Sequence, residues 1–583
     1  MGSSSDKNSD SSSSVQNSKL IFSASFSSLR DSVIDLSSVA TIFRHRLIDM
    51  NAFLNDRRLD IYEYPSSLTS DRYVAVSYVW RGNPLVTDPS SPSYWVEELG
   101  TFNVKGAETG DPISLDVLYH VCSAALSCSY SGSHLWLDRL CILQSSKKDK
   151  AWQIRRMHDI YKHSKICCIL PGGIQRLVSL DEETAWIERA WTLQEALLPW
   201  RAIVLFLADE DRLEQLDNAR KKNAIPSFVT EIFPGLSAYG ELRPLLQLSM
   251  TGATSIFGRR RAPISALYGA VVQQNTHSFI EKDMKMQMIW FCALMRTSSR
   301  PVDMVFSIMG LIGVDLDPLQ FDKNDRVKAT IALASKSISY IGTKANWLAA
   351  AYQLEPCRQI SSFPLFPKTS VDGQAFYGNA DLPPPYRSST TGGKLLADVV
   401  EERCDFNCWL SGLPEGEMDE DGYLTFCSKA VKLVPILVEA TISIEVHIRN
   451  ASNTKEPRSG KATSEDYVRA EDGTIWRVSN DTKGENDTSA ACAMAVFLGT
   501  QMGGAMGDFN KEGSEGDSDD DDLDWRERWS AERIRRRRTD IALLVQEHSP
   551  GRFNRISYFK VKGGFDNKFP DSREMTISLG GPN

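Results

Sequence analysis

The spacing of apolar positions changes several times along the chain, and each change predicts an element. Tyr73–Trp80, YVAVSYVW, is β-branched and aromatic and stops at the turn-forming RGNP, which predicts a strand. His134–Leu143, HLWLDRLCIL, reads as a second strand. Lys165–Gly173, KICCILPGG, reads as a buried strand stopped by Pro171 and the glycines. Between these two runs, Ile154, Met157, Ile160 and Tyr161 recur at helical spacing, and Ser146 with Asp149 three residues on gives a capping-box signature. A further helix is predicted over Ile187–Pro199, IERAWTLQEALLP. Ile187, Ala190, Trp191, Gln194, Glu195 and Leu198 form one stripe of it, and Trp186, Ala190, Leu193 and Leu197 a second, apolar row. A helix apolar on two sides is buried, so Gln194 and Glu195 stand out as polar groups inside it. Strand, strand, helix, strand, helix predicts an α/β unit with a mainly parallel sheet.

Further along, residues 201–360 carry mostly helical patterns, such as HSFIEKDMKMQMIWFCALMRTSSR and DRVKATIALASKSISYIG. Residues 361–400 and 450–490 are rich in loop formers, and Lys432–Arg449 alternates as strands do. Gly513–Trp529 holds an acidic low-complexity insert (511–524), followed by the basic run Arg533–Arg538 and two strand-like runs, DIALLVQE and RISYFKV. The expected plan is a disordered Ser-rich tail (1–19), an N-terminal extension (20–71) and an α/β domain (72–200). A helical region (201–360) and a mixed strand and loop region of α+β character (361–583) follow.

Composition narrows the function classes. With 42% hydrophobic and 24% charged residues, the 583-residue chain reads as soluble and globular, with room for a sizeable core. A net charge of −9 argues against coating nucleic acid or an anionic membrane. The basic run beside the acidic insert reads first as mutual screening, with nucleic-acid binding as the weaker alternative. No run of eighteen apolar residues is present, so no membrane span is expected. The N-terminus has no apolar core of a signal peptide, and its MGSSSD start is read as a solvated tail rather than a myristoylation site. A cytoplasmic location is expected, with the nucleus as the alternative. The sequons at Asn450, Asn480 and Asn486 are then unused.

No metal site is expected. Cys404 and Cys408 have no second pair at zinc spacing, and His158 and His163 lie on different helix faces. The eleven cysteines read as reduced thiols. PGG at 171–173 lacks phosphate-loop spacing, and Ser77 has no base at readable spacing for a catalytic triad.

Three segments in this order carry a resemblance: Tyr73–Gly82 (YVAVSYVWRG), Leu135–Lys165 (LWLDRLCILQSSKKDKAWQIRRMHDIYKHSK) and Arg189–Leu197 (RAWTLQEAL). Together they resemble the fungal heterokaryon incompatibility (HET) domain family, over roughly residues 72–200. Arg296–Val314, RTSSRPVDMVFSIMGLIGV, is a looser echo. The chain departs from the family pattern at Leu143, where Asn is usual, at Ala190 in place of Gly, and in the inserted Arg81. The resemblance implies a role in non-self recognition and regulated cell death after fusion of unlike fungal cells. It also implies a distant similarity to TIR domains, with AVSYVW as the opening strand and turn and AWTLQE as the helix that holds a catalytic glutamate. TIR relatives include NAD-cleaving enzymes and non-enzymatic adaptors.

On that resemblance the expected site has Glu195 as the catalytic carboxylate and Ser77, Tyr78, Trp80, Asp138, Trp191 and Gln194 as the residues that bind NAD, the possible substrate. Breaking the nicotinamide–ribose bond releases a neutral leaving group from a cation, so no acid need protonate it. The transition state instead needs a positioned carboxylate beside a ribosyl cation. A buried glutamate loses its charge unless donors hold it, and Ser77, Tyr78 and Gln194 are the candidate donors. Trp80 or Trp191 could stack on a planar ring. Asp138 follows a strand, where a ligand crevice is expected, with a cap or salt bridge as its plainer role. The plainer reading of Glu195 is an ion pair with Arg81 or Arg189 that fixes helix to sheet. The expected partners are a second copy of the chain and an unknown protein trigger. The alternative to the enzyme is a non-catalytic module that signals by assembly.

Overall fold

The computed structural model describes residues 18–64, 73–85, 95–128, 132–258, 261–272, 279–382, 393–404, 408–436, 467–479, 492–503 and 538–581. The Ser-rich tail up to residue 17, the acidic insert, residues 533–537, the three sequons and residues 437–449 lie outside the described residues.

A nine-stranded sheet carries the N-terminal half. Its strands are β1 (Lys19–Ser25), β2 (His45–Asp49), β3 (Arg58–Tyr64), β4 (Tyr73–Tyr78), β5 (His134–Trp136), β6 (Ile166–Leu170), β7 (Arg201–Leu207), β8 (Val229–Phe233) and β9 (Ser237–Glu241). Their order across the sheet is β1-β3-β2-β5-β4-β6-β7-β9-β8. Only the centre is parallel: β4 pairs with β5 and β6, and β6 with β7, all in parallel register. The flanks pair antiparallel, so the sheet is mixed rather than mainly parallel. Every residue of β4 and β6 is buried, which is why YVAVSY and ICCIL read as unbroken apolar runs.

Helices connect the parallel strands: α1 (Leu115–Ser127) lies between β4 and β5, α2 (Lys147–Lys162) between β5 and β6, and α3 (Thr192–Leu197) between β6 and β7. In chain order the central strands run second, first, third, fourth across the sheet. The order reverses at β4, and the carboxyl ends of β4 and β6 at such a reversal are where open α/β sheets commonly bind ligands.

Two predicted elements come out shorter. The strand expected over His134–Leu143 ends at Trp136, and Asp138–Cys141 forms a helical turn. The Asp138 carboxylate takes the Arg139 backbone N–H at 2.6 Å, a local bond that competes with the sheet ladder. The helix expected over Ile187–Pro199 is broken into a 3₁₀ turn, Trp186–Glu188, an extended Arg189, and α3. Thr297 bridges that break: its N–H donates to Glu188 O at 2.7 Å and its carbonyl accepts from Ala190 N at 3.0 Å. Ser146 does cap α2 through the Asp149 N–H at 3.2 Å, but the Asp149 carboxylate turns away from the cap. It accepts from Arg46 Nη1 at 3.1 Å, Phe43 N at 2.8 Å and Leu143 N at 3.0 Å. Arg46, fully buried on β2, also reaches Glu63 at 3.1 Å, the Cys141 carbonyl at 3.0 Å and the Thr41 carbonyl. The N-terminal extension is thereby tied to the parallel centre.

The region expected to be mostly helical from 201 first adds β7, a helix over Glu210–Lys222 and the strands β8 and β9, and its longer helical stretch begins at 242. It comprises α4 (Leu242–Met250), α5 (Arg261–Val272), α6 (Phe279–Leu294), α7 (Asp303–Ile312) and α8 (Arg326–Ile341). The C-terminal part is built on β10 (Tyr423–Pro435), β11 (Ala493–Gly503), β12 (Thr539–Ser549), β13 (Arg552–Lys562) and β14 (Arg573–Gly580). Their pairings run β10-β11-β12-β13-β14 and back to β10, a closed ring. Along β12, Ile541, Leu543 and Val545 join the main core while Ala542 and Leu544 join a second one, so DIALLVQE is apolar on both faces. Arg555 of β13 docks the ring, donating to the carbonyls of Leu354 (2.8 Å), Ser361 (2.9 Å), Phe363 (3.2 Å) and Tyr352 (3.3 Å). Among the described residues, no helix is long and apolar enough to cross a membrane.

The turns that follow β4 and β6 touch backbone to backbone. A Cβ on Gly82 would lie 1.9 Å from the Gly172 carbonyl oxygen, which has no side-chain freedom to yield. Gly82→Ala is expected to lower the thermal midpoint, at a cost of about 1–3 kcal/mol.

Candidate functional site

The carboxyl end of β4 supplies the first two site residues. Successive strand residues face opposite sides, so Ser77 and Tyr78 reach different partners. Ser77 Oγ donates to Glu195 Oε2 at 2.6 Å and accepts from Trp186 Nε1 at 2.9 Å. Tyr78 OH donates to Asp138 Oδ1 at 2.5 Å. Asp138, partly buried just beyond β5, also takes Trp80 Nε1 on Oδ2 at 2.6 Å, and its carbonyl takes Gln144 Nε2 at 2.9 Å.

Glu195 lies on the short α3, only 6% exposed. Burial pushes its carboxyl up to about 8. The Ser77 hydrogen bond opposes that shift, the neighbouring Asp138 charge adds to it, and Tyr161 and Arg296 oppose it more weakly. Asp138 is raised as well, because burial outweighs its donors Tyr78 and Trp80. Burial and the Asp138 charge hold the Tyr78 phenol neutral far above its ordinary range. Two carboxyl groups thus sense each other across the end of one strand. One is tucked under Ser77 and the other is held at the partly open side by an indole and a phenol.

The expected set is only partly brought together. Ser77 serves as the donor to Glu195, whereas Tyr78 is committed to Asp138. Gln194 is 1% exposed, and its Nε2 finds no acceptor among the described residues. Trp80 and Trp191 are partly exposed, and the Arg139 guanidinium sits 5.8 Å from the Trp80 ring centroid. Neither arginine expected to pair with Glu195 does so: Arg81 Nε donates to the Thr109 carbonyl at 2.8 Å, and Arg189 makes no ion pair among the described residues.

Three further residues of this neighbourhood are not among the expected site residues. Tyr161 packs edge-on to Trp136 and donates to the Val76 carbonyl at 3.1 Å, beside Glu195. Trp186 braces Ser77. Arg296, from the echo segment over a hundred residues away, donates through Nη1 to Arg189 O at 2.8 Å and Thr192 Oγ1 at 2.7 Å. No group of three or more His, Cys, Asp or Glu among the described residues is placed to hold a metal ion.

Residues 73–176 match the family model described as heterokaryon incompatibility protein (HET). The match holds Ser77, Tyr78, Trp80 and Asp138 and ends before Trp191, Gln194 and Glu195. No curated protein and no solved structure matches the chain.

Proposed function

We propose that the chain is a heterokaryon-incompatibility protein that drives regulated cell death, and that its HET domain does so by hydrolysing NAD at Glu195. The observation that supports this reading most is the Ser77–Glu195 hydrogen bond at the reversal point of the parallel strands, with no ion pair to the carboxylate among the described residues. In the proposed step the bond from ribose C1′ to the nicotinamide nitrogen breaks, and nicotinamide leaves neutral with the electron pair. Glu195 in its carboxylate form stabilises the ribosyl cation, water adds at C1′, and ADP-ribose and a proton are released. Ser77 aims the carboxylate, while Asp138 and Trp80 line the open side with Trp191. The positive charge of the bound substrate favours ionisation of Glu195. Self-association in response to a protein trigger completes the scheme.

The test is NAD depletion by the purified full chain, at high concentration and under conditions that promote assembly. Absence of depletion there sinks the enzyme reading. The deep burial of Glu195 favours a second reading, in which the carboxyl is structural and the chain signals by assembly alone. Cell toxicity that survives Glu195→Gln would select it.

A further inference from the structure

Arg296 is a buried charge that the proposed reaction leaves unused. It is 2% exposed, yet both acceptors of its Nη1, the Arg189 carbonyl and the Thr192 hydroxyl, are neutral. It makes no ion pair among the described residues. Burying a cation without a counter-ion costs several kcal/mol, and a clamp on one carbonyl and one hydroxyl does not need a full positive charge. The carboxylates whose field it feels are Glu195 and Glu188. Glu188 already accepts from Ala375 N at 2.8 Å. Thr192 opens α3 three residues before Glu195, and the residue after Arg296 spans the break that precedes α3.

We propose that Arg296 is a positioning residue for Glu195, fixing the first turn of α3 and supplying the positive charge that favours the carboxylate over the acid. The proposal rests on the reading that Glu195 works as a carboxylate. The other titratable groups that face Glu195 are Asp138 and Tyr78 from the strand ends, Tyr161 from α2, Cys167 from β6 and Arg189. Of these only Arg189 adds positive charge.

The test needs a readout other than NAD cleavage. In full-length protein labelled with 5-fluorotryptophan, the Trp186 indole donates to Ser77, which donates to Glu195, so its ¹⁹F resonance reports the Glu195 proton. Loss of one signal in Trp186→Phe assigns it among the 13 tryptophans. The midpoint is expected near 8 in the natural chain, and the transition is expected to vanish in Glu195→Gln. Arg296→Gln keeps a donor and loses the charge. It should raise the midpoint by about one unit, a tenfold gain in proton affinity, while Arg296→Lys stays close to the natural value. An unmoved midpoint in a folded Arg296→Gln overturns the proposal. Where that variant does not fold, a midpoint raised by about a unit or more in Arg296→Lys overturns it, and a smaller change supports it. A chain that cleaves no NAD yet shows these shifts would remove the enzyme reading and leave the Arg296 assignment standing.

Discussion

Glu195→Gln is expected to abolish NAD cleavage and, at pH 8, to make the folded chain more stable. The first effect is a loss of at least about 10²–10³-fold, the scale on which preorganised electrostatic groups act. The second follows from the sign of the shift. A carboxyl raised from 4.5 to about 8 keeps its proton in the folded chain over a pH range in which the unfolded chain has released it. Folding stability therefore falls as pH rises from about 4.5 to about 8 and is flat on either side. Glutamine carries no such penalty and can still accept from Ser77. The variant should gain on the order of 2–4 kcal/mol at pH 8, shrinking towards zero near pH 4.5. The same sign predicts that kcat/KM of the natural chain climbs with pH through about 8, because the carboxylate is the form that the proposed step uses. Melting curves from pH 5 to 9 beside NAD assays separate the outcomes. An activity that falls over this range, or a variant that melts lower at pH 8, contradicts the account.

Arg46→Met should be among the most destabilising single substitutions in the N-terminal half, costing about 3–5 kcal/mol. It leaves Glu63 and Asp149 as buried carboxylates without their cation and frees the Cys141 and Thr41 carbonyls. Methionine fills the volume, so the loss is electrostatic rather than a cavity. Denaturant unfolding measures it. A loss below about 1 kcal/mol would mean that the extension is only loosely tied to the sheet.

The sequence showed what local pattern controls and hid what depends on distant partners. YVAVSY and ICCIL were readable as strands because both faces of a central parallel strand are buried. α2 was readable from its 3.6-residue period and its Ser146 cap. The break at Arg189 was not, because its cause is Thr297, and nothing in IERAWTLQEALLP encodes that pairing. Asp149 looked like half of a capping box because its other partners, Arg46 and Phe43, lie about a hundred residues upstream. The five-stranded ring was hidden for a similar reason: β10 and β14, which close it, are separated by most of the C-terminal region. Within the candidate site, Ser77, Asp138 and Glu195 could be named from the resemblance. Trp186, Tyr161 and Arg296 could not, since a tryptophan, a tyrosine or an arginine in an amphipathic segment signals nothing until the fold shows what it touches. The echo at Arg296–Val314 was visible as a motif, but its place against α3 was not.

The order of strands also fixes where the chain can be cut. A fragment trimmed to residues 73–176 keeps β4, β5 and β6 and discards β2, which pairs with β5, and β7, which pairs with β6. Two interior strands become raw borders with unmet N–H and C=O groups, ready to stack on other copies. Such a fragment is expected in inclusion bodies, and it lacks Glu195 altogether. An expression clone for this half has to run from before Lys19 to beyond Thr297, which bridges the break before α3, because the matched segment is a slice of a larger folding unit.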